Sequence, residues 1–121
     1  MGPRLVSIDH VQLAMPSGKE QVAATFYEDL LGLTRQEKPP ILAARGGCWF
    51  SNGDVSLHLG VEEDFRPARK AHPAVLVDSL DEMADLLKSA GHEIRFDDEI
   101  SGVRRFYVDD PFGNRIELIE G

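Results

Sequence analysis

Two stretches of this chain, "IDHVQLAMP" and "AHPAVLVDS", each read as a strand and each lead into a helix start, and that internal repeat constrains the fold most. His10 and His72 lie 62 residues apart, and the same offset relates two S-x-x-E helix-capping patterns, Ser17 with Glu20 and Ser79 with Glu82. The first helix is expected to bury Val22, Phe26 and Leu30, with Ala23 and Tyr27 beside them, and to stop at Gly32. The second is expected to bury Met83, Leu86, Leu87 and Ala90 and to stop at Gly91, about one turn shorter. Three strand-like runs follow each helix. In the first half they are near Thr34 to Lys38, "GCWFSN" and "DVSLHLG", with Asn52-Gly53 as a hairpin signal. In the second half they are "HEIRF", "VRRFYVD" and "NRIELIE", with "DPFGN" as the turn.

The order is therefore βαβββ, twice. Such a unit buries one sheet face under its helix and leaves the other open. Two units predict an α+β fold, a curved mixed sheet around a cup with helices outside. The chain reads as a single domain over 1–121, with modules at about 4–60 and 72–121 and a charged, proline-bearing connector at 61–71. At 121 residues it is long enough for a core of its own. One cysteine, Cys48, rules out an intrachain disulfide and fits a reducing compartment. The formal charge of −8 argues against a nucleic-acid surface. With no apolar run of membrane-spanning length and no secretory leader pattern, a cytoplasmic protein without a membrane partner is expected.

Alternation places His10 with Ile8 and Gln12, and His58 opposite Val55, Leu57 and Leu59. His72 shares a face with Ala74 and Leu76, and Glu117 one with Arg115 and Ile119. The repeat pairs His10 with His72 and His58 with Glu117, so all four are expected to face one cup. Three imidazoles and a carboxylate make a candidate site for a divalent ion: Zn, Ni, Mn, Co or Fe(II). Whether His58 is a fourth ligand or stands beside a three-ligand site is left open by the pattern. At least one of Trp49 and Phe50 is expected to pack in the core, with Trp49 as a candidate pocket wall. Cys48 has no neighbour to activate it, and Arg66, Arg69 and Lys70 read as solvated or as clamps for an anion at the cup mouth.

Through "IDHVQL", "FYEDLLGL", "AHPAVLV" and "DPFGNRIELIE" the chain resembles the vicinal oxygen chelate superfamily of glyoxalase I, bleomycin-resistance proteins, fosfomycin-resistance thiol transferases and extradiol dioxygenases. The resemblance implies paired βαβββ modules, a homodimer, and metal ligands on the first and last strands of each module, which here are His10, His58, His72 and Glu117. It also implies that residues five and three before Asp110, Arg105 and Tyr107, line the pocket, with Glu117 and Tyr107 as proton carriers. His58 stands where glyoxalase I usually has Glu. The functions implied are a metal-dependent lyase or isomerase on a small oxygen-chelating substrate; a non-catalytic protein that sequesters a small molecule such as an antibiotic; or a dioxygenase or thiol transferase.

Overall fold

A computed structural model describes residues 2–121. The first half contributes β1 (Val11–Met15), α1 (Glu20–Ala24) running into a π-helical stretch (Thr25–Leu30), β2 (Thr34–Gln36), a short helix α2 (Pro40–Ala43), β3 (Cys48–Asn52) and β4 (Val55–Val61). The second contributes β5 (Ala74–Val77), α3 (Leu80–Ser89), β6 (Ile94–Asp97), β7 (Arg105–Asp109) and β8 (Arg115–Glu120). The strands form two four-stranded mixed sheets, ordered β1-β4-β3-β2 and β5-β8-β7-β6. In each, the first strand runs parallel to the last, as its helical crossover requires. The fold is the α+β arrangement expected, built as two open sheets; β1 and β5 are outer strands.

The ladders put the two halves in the same register. Gln12 pairs with His58 and Trp49 with His58; Ala74 pairs with Glu117 and Tyr107 with Glu117. His58 and Glu117 therefore hold equivalent lattice positions, each with an aromatic residue opposite.

Alternation decides what is buried. Leu57, Leu59 and Phe50 of the first sheet and Phe106, Val108, Ile116 and Leu118 of the second join Phe26, Tyr27 and Leu87 in one core. Each such side chain contributes roughly 1.5–3 kcal/mol by leaving water. Tyr27 stacks on Phe50 at 5.4 Å and meets Phe26 edge-on at 5.0 Å.

Some expected details differ. Neither Ser17 nor Ser79 makes a capping hydrogen bond. The Glu20 carboxylate instead accepts the Gly47 N–H, tying the helix start to the loop before β3. Val22 and Leu86 are exposed, and α3 buries Leu80, Ala84 and Leu87. The helices do stop at Gly32 and Gly91, both at positive φ.

One turn joins the halves. Asp110 of "DPFGN" is buried; its Oδ1 accepts the Phe112 and Asn114 N–H groups, and its Oδ2 accepts the Tyr27 hydroxyl at 2.6 Å and Asn114 Nδ2 at 2.8 Å. Asn114 Nδ2 also donates to the Ala14 carbonyl on β1. The connector lies against the same turn, with Phe65 edge-on to Phe112 and Pro67 over Gly113.

Candidate functional site

The faces turned away from the helices carry the polar residues. On the second sheet these centre on Glu117, 7% exposed. Its Oε1 lies 2.9 Å from His72 Nε2, and its Oε2 accepts from Arg105 at 2.9 Å. Burial pushes the Glu117 carboxyl up, but the His72 and Arg105 hydrogen bonds outweigh it and hold the group below the usual glutamate range. Arg105 also reaches Asp97 at 3.2 Å. Both of its terminal nitrogens are thus committed within the protein, and its buried Nε has no partner. Tyr107 stands opposite Glu117 with the guanidinium groups of Arg105 and Arg115 over its ring at 5.5 and 5.7 Å, and His72 meets it edge-on. Arg115 shares that face with Glu117 as alternation implies; its place over the Tyr107 ring is what the sequence did not show.

On the first sheet the corresponding site is an aromatic stack. His10, one residue before β1, stacks on His58 with centroids 4.0 Å apart; Trp49 stacks on His58 at 4.4 Å. Burial, and then the neighbouring His10, lower the His58 pKa against the opposing pull of Asp9.

His10 and His72 share a further feature. His10 Nδ1 is 2.9 Å from Asp9 Oδ2, and His72 Nδ1 is 2.7 Å from the Lys70 carbonyl oxygen. Each oxygen is an acceptor, so each Nδ1 carries a hydrogen, and only in the neutral ring does Nε2 present a lone pair. His72 Nε2 faces a carboxylate oxygen, and the contact is favourable with a proton on Nε2 or with a cation held between the two. Both groups are ligand types for a divalent first-row ion, and one bound there would satisfy both. An imidazole tethered through its other nitrogen is also how metal-binding histidines are held. The donor chemistry therefore fits a divalent first-row ion.

The placement within one chain is less complete. His10 and His72 both line a cleft of about 1120 Å³ between β1 and β5, walled by Val11, Leu13, Val75 and Leu76. Glu117 lies beside His72, while His58 lies in the stack with His10. Among the described residues, no three His, Cys, Asp or Glu side chains gather closely enough to hold a metal ion. The four candidates stand as two pairs, one on each sheet. Trp49 faces the stack and Phe50 the core. Cys48 is buried on the core side of β3, where burial pushes its thiol up against the pull of Arg35. Among the described residues no helix is long and apolar enough to cross a membrane.

Solved structures share this architecture. A protein assigned to the glyoxalase family from Bacillus anthracis is 46% identical, with a TM-score of 0.94 over 100% of this chain and 99% of that one. The fosfomycin resistance protein FosX from Listeria monocytogenes matches at 15% identity and TM-score 0.77, over 98% of this chain and 95% of its own. TnmS3, an antibiotic binding protein from Streptomyces sp. CB03234, matches at 21% and 0.71, over 96% and 98%. The last two are likenesses of fold alone. A search of curated proteins finds no match. The Glyoxalase/Bleomycin resistance protein/Dioxygenase superfamily matches residues 7–118, nearly the whole length, and the chain belongs to it.

Proposed function

We propose that the protein is a metal-dependent lyase or isomerase acting on a small substrate with two adjacent oxygens, and that His10, His72 and Glu117 are its metal-binding residues. The observation that carries this reading is the 2.9 Å approach of His72 Nε2 to Glu117 Oε1 while His72 Nδ1 is committed to the Lys70 carbonyl. A bound divalent ion would polarise the substrate oxygens and stabilise the negative charge that develops on them. The protein's own groups do the rest. Asp9 and the Lys70 carbonyl fix the two imidazole tautomers. Arg105 holds the Glu117 carboxylate in place and ionised. Glu117 accepts a substrate proton, and Tyr107, opposite it on the ladder, donates one.

Because the donors divide between two sheets, the site is proposed to be completed in a homodimer. Two features support that step. Both β1 and β5 have a free edge, and the segment before β1 leaves Leu5 100% and Val6 94% exposed, with Leu76 of β5 at 69%. Apolar groups beside unpaired strand edges are what a second copy would cover.

The test is metal uptake by untagged protein with Zn, Ni, Mn, Co or Fe(II), read as bound equivalents and as thermal stabilisation. Near-stoichiometric uptake, lost in His10→Ala and in Glu117→Ala, is expected. Less than about 0.1 equivalent of any of these ions, with no stabilisation, would refute the reading.

A second reading has its own observation. Glu117 already has both oxygens engaged, by His72 and Arg105, which with a protonated His72 is a closed ionic network. In that case the cup is the lining of a protein that sequesters a small molecule, as the fold likeness to TnmS3 allows. Metal-free protein that binds a small molecule without turnover would favour it.

A further inference from the structure

We infer that His58 is a positioning residue that orients His10, and not a fourth metal donor. The inference rests on the reading of His10, His72 and Glu117 as the donor set. His58 sits on β4 between β1 and β3, and its ring is filled on both sides: His10 at 4.0 Å and 15° from parallel, Trp49 at 4.4 Å and 10°. An imidazole donates to a metal through a lone pair lying in the ring plane. Two planes 4.0 Å apart and tilted by 15° converge only about 15 Å away (4.0 Å divided by tan 15°), whereas a metal–nitrogen bond is about 2.0–2.1 Å. His10 and His58, stacked like this, cannot address one ion.

The hydrogen bonds separate the two roles in the same way. His10 and His72 each have Nδ1 tethered to an acceptor, and both residues line the same cleft. Among the described residues no hydrogen bond fixes either nitrogen of His58. Its constraint is planar: the stack sets the plane of the His10 ring, and Asp9 sets the rotation within that plane. Trp49, directly across the ladder from His58, backs the stack. A flat side chain is what position 58 requires, and a basic nitrogen is not. Three protein donors also leave more positions open to a chelating substrate than four would.

The experiment uses full-length untagged protein and cobalt(II), with affinity from calorimetry and coordination from visible absorption. Wild type is compared with His58→Phe, His58→Ala and His10→Ala. His58→Phe should keep cobalt affinity within about threefold and keep the absorption spectrum. His58→Ala should weaken binding by about 10- to 100-fold, the range for residues that orient a ligand, and His10→Ala should weaken it further. A metal-free arm reads the stack directly: the ring-current shift of the His10 protons should persist in His58→Phe and vanish in His58→Ala. If wild type binds cobalt and His58→Phe loses as much affinity as His10→Ala, the positioning role is overturned and His58 is a ligand. Unchanged His10 shifts in His58→Ala overturn it too. Wild-type protein that takes up no cobalt overturns the metal reading first, and this role with it.

Discussion

Tyr27→Phe should destabilise the protein by about 1.5–3 kcal/mol, the net worth of a hydrogen bond to a charged group. The change deletes one hydroxyl and leaves the ring in place, so no cavity contributes. That hydroxyl donates to Asp110 Oδ2 at 2.6 Å in a site where Tyr27 is 0% exposed. Asp110 is not orphaned, because Asn114 Nδ2 and the Phe112 and Asn114 amides still reach it. The loss is therefore one bond and not a stranded charge, which caps the effect. At about 2.1 cal/mol/K per residue, unfolding this chain carries an entropy near 0.25 kcal/mol/K, so each kcal/mol is worth about 4 °C in Tm. The expected drop is about 6–12 °C, measured at fixed protein concentration so that any association does not shift the comparison. The effect also depends on pH. Burial pushes the Asp110 carboxyl up, more than its hydrogen bonds, led by that from Tyr27, pull it down. A carboxyl whose folded pKa is raised binds more protons folded than unfolded, so its contribution to stability falls as pH rises from 3.8 through the folded value. Removing Tyr27's bond raises the folded value further. The penalty of Tyr27→Phe should therefore be larger at pH 7 than at pH 4. Urea unfolding by circular dichroism at both pH values checks this. A penalty under about 0.5 kcal/mol, or one that does not shrink at pH 4, refutes the account of Asp110 as a hydrogen-bonded, ionised clamp.

Two glycines and the cysteine give further tests. Gly47→Ala should cost more than about 2 kcal/mol in urea unfolding, because its φ is +87° and the new Cβ would collide with the Leu59 carbonyl oxygen, a backbone atom that cannot yield. Gly60→Ala should cost less than about 1 kcal/mol, because its φ is ordinary and the new Cβ meets only the end of the flexible Gln12 side chain. If the two variants are equally stable, the close approach of the loop at Gly47 to β4 is wrong. Cys48, 1% exposed, should react with a thiol reagent at least about 100-fold more slowly in native protein than in urea, since burial disfavours its thiolate; equal rates would place it at the surface.

The repeat made the strand order legible, since period-2 alternation and turn glycines are local signals. The faces of His58 and Glu117 and the stops at Gly32 and Gly91 all follow from such signals. The helix faces were less legible. The first helix passes into π geometry, with the Leu31 N–H reaching back five residues to the Phe26 carbonyl, and a count of 3.6 residues per turn loses phase there. Val22 lies in the α-helical turn before that stretch and faces solvent beside the buried Ala23. The tie between halves was invisible for a different reason. Tyr27 to Asp110 and Asn114 to Ala14 span 83 and 100 residues, and nothing local in "DPFGN" says that a turn will reach a helix so distant. The partners of Arg105 are nearer: Asp97 stands directly opposite it on β6 and Glu117 lies on the adjacent β8, and both hold it within the protein.

The two halves also differ in chemistry at matched positions, and this is why the proposed site draws on both. The last-strand position beside the first strand is His58 in one half and Glu117 in the other, with Trp49 and Tyr107 opposite them. In the first half the result is a stack of flat rings that supplies shape and one tethered imidazole. In the second it is an ionic cluster, Arg105 and His72 on Glu117, which supplies charge. A second stack would leave the site without a carboxylate to neutralise a cation or take a proton. A second ionic cluster would bring two carboxylates together in a half-buried cup, where one would resist ionisation. His at position 58 brings no negative charge and adds a ring that packs, which under the proposal above is the mount for His10.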